Sequence, residues 1–268
     1  MPSILKINNL NYELNGNIFF IDFNLNIEEG EFVSIIAPNK SGKTMLTKIL
    51  CAIIPTDDVC TLDGISLNKE NVLEYITKIG VVTNDIINLF LFNKVKDELA
   101  YPLVNLGFPE HKINKKILKI SEYFDIQDLL NKKISSLTLS EKSKLLIAVA
   151  LIHDPKVLIL DDIFYNMNIK DQNFILDKLK ELNKEGLTII NITSKLDTIY
   201  DSSKIYVLNN FQIEKEGSLL EILENDTYLN KIGLSLPFII DLSIKLKFYC
   251  LIDKIYFDLV NLEDDLWK

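Results

Sequence analysis

The sequence predicts an α/β fold: a mostly parallel sheet, an antiparallel β subdomain before it, a helical subdomain inserted in it and a small C-terminal domain. Three observations predict this. Short, mainly apolar runs at 32–36, 157–160 and 187–192 suit strands covered on both faces. Amphipathic helical patterns separate those runs, and alternating strands and helices imply parallel pairing. Residues 4–27 instead alternate apolar and polar positions, which reads as antiparallel strands with one wet face. We place the main domain at 1–217, with its helical part at about 94–150, and the C-terminal domain at 218–268.

Each element has its own signal. Residues 4–8, 11–14 and 19–27 are read as three short strands. Glu28-Glu29-Gly30-Glu31 turns into the strand 32–36. Met45, Leu46, Ile49, Leu50 and Ile53 form one face of the first helix. Residues 60–62 and 80–82 are further strands. Beyond Lys94 the pattern is helical, clearest at 113–124 and 140–152, with Pro102, Gly107 and Pro109 as punctuation. Asp154-Pro155 leads into 157–160, Gly186 closes the helix 169–182, and a hairpin turning on Asn209-Asn210 follows at 204–215.

Composition narrows the function. The chain has 268 residues, 48% hydrophobic and 25% charged, enough for a sizeable core. A net charge of −9 argues against a nucleic-acid partner. All 29 basic residues are Lys, so no guanidinium clamp comes from this chain. Cys51, Cys60 and Cys250 have no metal-ligand spacing, and a reducing compartment is the plain reading. The apolar run 145–152 is too short to span a bilayer and the N-terminus reads as no signal peptide, so membrane work is expected from outside the lipid.

The chemistry centres on residues 32–54. An apolar strand, a tight turn at 37–42 and a helix start place free N–H groups and a positive dipole end together. Asn39, Lys40, Ser41, Gly42, Lys43 and Thr44 are the candidate phosphate-holding residues, Lys43 for the β/γ-phosphates and the Thr44 hydroxyl for Mg²⁺. The pattern G-x-x-x-x-G-K-[ST] lacks its first Gly, with Ala37 in its place, so an ordinary strand-to-helix turn remains the rival reading. Asp161, delivered at the end of the apolar strand 157–160, is the second metal candidate beside Thr44.

Taken together these stretches resemble an ATP-binding-cassette (ABC) ATPase. More narrowly they resemble an ATPase subunit of the energy-coupling factor (ECF) transporters. LNKENVLEYITKIGVV (67–82), KVKDELAYPLVNLGFP (94–109), residues 233–246 and the terminal Leu266-Trp267-Lys268 carry the narrower likeness. The resemblance implies a P-loop nucleotide-binding domain, ATP and Mg²⁺ as ligands, and ATP hydrolysis coupled to import of a vitamin or metal ion. It implies a second ABC ATPase subunit, a transmembrane coupling protein and a substrate-binding membrane protein as partners, at the cytoplasmic face of the cell membrane.

The departures from that family are as informative. The family's phosphate loop, G-P-N-G-S-G-K-[ST], has Ala37 and Lys40 here for two glycines. The Q-loop Gln falls on Asn84, the general-base Glu on Asp162, the switch His on Ser194 and the D-loop Asp on Asn168. The signature L-S-G-G-Q falls on Leu137-Thr138-Leu139-Ser140-Glu141. The adenine-stacking aromatic falls on Leu14, leaving Tyr12 on the same strand face as the candidate. Phosphoryl transfer depends on positioning and electrostatics, so these changes predict nucleotide binding with poor turnover at this chain's own site. They favour a heterodimer with a more intact ATPase. The alternative is a catalytically impaired pseudo-ATPase that scaffolds such a dimer. Finally, the crowded apolar residues Ile86, Ile87, Leu89, Phe90, Leu91 and Phe92, rimmed by Asp85, Lys94, Lys96 and Asp97, predict a groove that receives a partner helix.

Overall fold

A computed structural model describes residues 2–56, 58–85 and 89–267. The apolar runs become strands: β3 (Phe32–Ile36), β6 (Ile79–Thr83), β7 (Val157–Asp161), β8 (Thr188–Thr193) and β9 (Lys204–Asn209), with β10 (Gln212–Gly217) after them. They form one sheet in the order β10-β9-β3-β8-β7-β6. All its pairs are parallel except the β9–β10 hairpin. Every residue of β3, β7 and β8 is buried, as mainly apolar central strands require, the polar Ser34, Thr188 and Asn191 included.

The antiparallel subdomain differs from its sequence reading. Two twelve-residue strands, β1 (Ser3–Leu14) and β2 (Asn17–Glu28), replace the three short ones. The expected break near Asn9 is a bulge: Asn9 has φ 48 and the β1–β2 register shifts between Ile7 and Leu10. β4 (Cys60–Leu62) and β5 (Ile65–Ser66) complete a four-stranded sheet in the order β2-β1-β4-β5.

Helix α1 (Lys43–Leu50) lies between the two sheets. It buries Leu46, Ile49 and Leu50 as expected, but it stops one turn short of Ile53. Ala52 at φ 61 turns the chain, and Ile53 is 68% exposed. A short α2 (Val72–Thr77) precedes β6. The helical part comprises α3 (Val95–Asn105), α4 (Glu110–Tyr123) and α5 (Leu139–Leu151). These pack with α6 (Ile169–Lys184) and one face of β7 and β8 in a single cluster. Gly186 at φ 107 follows α6 as the expected terminator.

The C-terminal segment holds α7 (Leu219–Leu223), α8 (Asp226–Lys231), α9 (Phe238–Phe248) and α10 (Leu259–Leu266). Its Ile222, Leu223, Leu229, Leu234 and Ile240 share a buried cluster with Leu196, Ile199, Ile205 and Val207 of the main body. The hairpin also turns one residue later than the sequence reading. Asn210 (φ 48) and Phe211 (φ 63) are the two turn residues, a left-handed pair of the kind two-residue hairpins use. Left-handed backbone costs a residue with a Cβ roughly 1–2 kcal/mol, so Phe211 is held there by its surroundings.

Candidate functional site

Parallel strands bring their C-terminal ends to one edge of the sheet, where ligands of such folds bind. Here that edge gathers the 37–42 loop after β3, Asp161 and Asp162 at the end of β7, Ser194 after β8 and Asn84 after β6. Asn84 is exposed beside Thr83, which pairs with Asp161.

The loop has the form of an anion cradle. Ala37 is anchored by its N–H on the Thr193 carbonyl (3.0 Å) and is not among the positive-φ residues, so the missing glycine costs nothing there. Lys40 (φ 65) and Gly42 (φ 111) take the left-handed turns. The Ser41 hydroxyl donates to the Pro38 carbonyl (2.8 Å) and closes the loop on itself. Among the described residues, none of the backbone N–H groups of residues 39–44 donates to a protein acceptor. Six unpaired N–H groups at a helix start, with a lysine beside them, fit a polyphosphate.

Lys43 is already occupied. Its Nζ donates to the Ala37 carbonyl (3.0 Å) and lies 3.0 Å from Asp162 Oδ2, both side chains being about nine-tenths buried. Asp162 sits at φ 51, and its other oxygen accepts the Ser194 N–H (3.0 Å). A carboxylate thus stands where a phosphate oxygen would meet the lysine. Asp161 accepts the Thr47 hydroxyl (2.8 Å). Burial pushes its pKa up, and Asp162 adds to this, while the Thr47 bond and Lys43 oppose it.

Thr44 is exposed at the head of α1. The two metal candidates therefore stand on adjoining elements, with Thr47, not Thr44, hydrogen-bonded to Asp161. Among the described residues no cluster of three or more His, Cys, Asp or Glu could hold a metal alone. An Mg²⁺ held by Thr44 and Asp161 would complete its shell with phosphate oxygens and water.

Of the remaining candidates, Ser194 belongs to this centre through its N–H bond to Asp162, while Tyr12, the signature position and Asn168 are held by other contacts. The Ser194 hydroxyl bonds the Tyr165 hydroxyl (2.9 Å). Tyr12 is half-buried on β1, its ring 6.1 Å from Phe19. At the signature position, Thr138 and Glu141 form a capping box. Glu141 Oε2 accepts the Thr138 N–H (2.7 Å), and Thr138 Oγ1 accepts the Glu141 N–H (3.2 Å). The N-terminus of α5 thus carries its own carboxylate, and Leu139 stands 48% exposed on it. Asn168 caps α6 by accepting the Asp171 N–H (2.9 Å). Ser140 Oγ donates to Asp171 Oδ2 (2.6 Å), which ties the signature position to that cap.

Sequence reasoning missed two residues of this neighbourhood. Thr47 carries a polar signal, a hydroxyl on the apolar face of α1 at i+4 from Lys43. Phe211 directly follows an Asn-Asn pair, where a turn glycine is the usual choice. In the expected docking stretch, Leu89, Leu91 and Phe92 are exposed while Phe90 packs into the main cluster. Ile86 and Ile87 lie outside the described residues. Buried Glu98 shapes this stretch by accepting the Leu91 (3.0 Å) and Phe92 (2.8 Å) N–H groups.

A parallel sheet with this loop at its C-terminal edge defines a P-loop nucleotide-binding domain. The chain belongs to the ABC transporter family, whose profile matches residues 20–164. It is 27% identical over 238 residues to the Energy-coupling factor transporter ATP-binding protein EcfA1 of Halalkalibacterium halodurans, covering 88% of this chain and 86% of that one. A Vibrio vulnificus protein named as an ABC transporter ATP-binding protein is 26% identical over 248 residues, but this chain spans only 43% of its length. Among solved structures it is similar to cbiO1 from Clostridium perfringens, described as part of the ABC transporter complex cbiONQ. The TM-score is 0.77 at 26% identity, with 88% of this chain and 97% of that chain covered.

Proposed function

We propose that this chain is an ATP-binding subunit of an ECF-type importer for a vitamin or metal ion. It would work at the cytoplasmic face of the membrane beside a second, more intact ABC ATPase, a transmembrane coupling protein and a substrate-binding membrane protein. The likeness to EcfA1 and cbiO1 over most of the chain supports the address. Among the described residues, no helix is long and apolar enough to cross a membrane.

The observation that carries the reading is the phosphate cradle, six unpaired N–H groups beside Lys43. Bound ATP would supply the phosphoanhydride, and Mg²⁺ would neutralise part of its charge. Lys43 has to exchange Asp162 for phosphate before it can act. Asp162, one methylene shorter than the family's glutamate, is then left on the Ser194 amide as the group that orients water. Ser194 offers a short hydroxyl, shared with Tyr165, where a longer ring would reach the γ-phosphate.

A second reading, a pseudo-ATPase that scaffolds the dimer, is favoured by the Thr138–Glu141 capping box. That box satisfies the α5 N-terminus with an internal carboxylate, where the partner's γ-phosphate would otherwise dock. Co-expression with a second ABC ATPase and membrane subunits of the same organism, followed by turnover measurements on the purified complex, tests both. Membrane co-purification supports the transport address, and a complex that forms without any membrane protein opposes it. Asp162→Glu should leave the rate of the complex low, since groups that act as a unit are non-additive. A large gain from that single change would show the other departures to be harmless.

A further inference from the structure

We infer that Phe211, at the tip of the β9–β10 hairpin, supplies the aromatic face for the base of a nucleotide held on the phosphate loop. The inference rests on the phosphate-loop reading above and adds a residue to it. Four observations place Phe211 at the loop. Its backbone N–H donates to the Ser41 carbonyl (2.9 Å). Its ring lies against Gly42: a Cβ there would come within 2.7 Å of Phe211 Cδ1. Phe19 and Phe20 meet it edge-on, at 5.2 and 6.0 Å between centroids. The residue as a whole remains half-buried.

The backbone adds the argument for a role. Phe211 holds φ 63, a conformation that penalises any side chain and that a bulky residue seldom takes. Glycine or asparagine would make the same turn without that penalty. An outlier maintained beside a ligand cradle points to use of the side chain. The chemistry fits: a nucleobase stacks on any aromatic face without reading sequence or edge. Leu14, exposed at the end of β1, has no such face. Tyr12, the other candidate, packs on the same Phe19 and the same core cluster as Phe211, but its backbone pairs with Phe20 of β2 and not with the phosphate loop. Phe19 and Phe20 back Phe211 from the side and fix its ring plane.

The test compares Mg-ATP with inorganic tripolyphosphate, which has the same phosphates and no base. Affinities are measured by calorimetry on the full chain for the parent, Phe211→Leu, Phe211→Tyr and Lys43→Ala. Leu keeps an apolar side chain against Gly42 but has no aromatic face. Phe211→Leu is expected to weaken ATP binding roughly tenfold, within the range for loss of one base stack, while tripolyphosphate changes less than about twofold. Phe211→Tyr should bind ATP as the parent does. Unchanged ATP affinity in Phe211→Leu overturns the inference. So does an equal loss for both ligands, which would make Phe211 a prop for the loop. If the parent binds neither ligand and Lys43→Ala behaves identically, the phosphate-loop reading itself falls.

Discussion

Replacing Asp162 by Asn should destabilise the ligand-free protein and tighten its grip on ATP. The two effects share one cause. Lys43 Nζ and Asp162 Oδ2 are 3.0 Å apart with side chains 9% and 10% exposed, so little water screens them. Breaking a buried ion pair from one side costs about 3–5 kcal/mol when the remaining charge is left alone. Neither charge is left alone here: Lys43 keeps the Ala37 carbonyl, and the residue at 162 keeps the Ser194 N–H. The expected loss is therefore nearer a single charged hydrogen bond, about 1.5–3 kcal/mol. A double-mutant cycle in urea with Lys43→Met, Asp162→Asn and the pair should return a coupling of that size. Since phosphate has to displace Asp162 from Lys43, Asp162→Asn should bind Mg-ATP roughly tenfold tighter, about 1.4 kcal/mol of that coupling. A coupling below about 0.5 kcal/mol, the level of independent sites, would refute the reasoning. So would equal ATP affinity in parent and variant.

Further expectations follow from other parts of the chain. Lys40→Gly should raise the melting temperature slightly: φ 65 costs a lysine roughly 1–2 kcal/mol, of which glycine's looser unfolded chain takes back about 0.4–1. A lower melting temperature would mean the Lys40 side chain makes a compensating contact. Leu91→Ser with Phe92→Ser, both exposed, should keep the cooperative transition and lose co-purification with the membrane partner. Loss of that transition would make them core. Burial pushes the Cys51 thiol up to about 12, helped by Asp161, and that of Cys60 up to about 11. Iodoacetamide at pH 8 should therefore label one thiol fast, at exposed Cys250, and Cys250→Ser should abolish that phase. Fast labelling that survives Cys250→Ser would contradict it.

The parallel core was legible because strands buried on both faces are mainly apolar, as residues 157–160 are throughout. The phosphate loop was legible because Gly42-Lys43-Thr44 between an apolar strand and a helix has a narrow chemical use. What escaped were features set by single backbone angles. Asn9 turned an expected strand end into a bulge, and Ala52 cut α1 short of Ile53, yet neither residue type demands such a turn. Tertiary contacts moved the hairpin turn onto Phe211, against the preference for small or flexible residues there. Glu141 shows a different failure. Its T-x-x-E spacing from Thr138 is a capping-box pattern in plain sight. Against the family's signature motif it reads as a misplaced charge, and only the structure shows it folded back on its own helix.

On the proposed reading, the phosphate loop holds nucleotide through Lys43 without efficient turnover of its own. Incubation of the full chain with γ-labelled ATP and Mg²⁺, followed by quenching and separation of bound nucleotide over time, tests it most directly. Bound nucleotide is expected to stay ATP over many minutes and to disappear in Lys43→Ala. Bound nucleotide that becomes ADP within seconds, or equal binding in parent and Lys43→Ala, would contradict it.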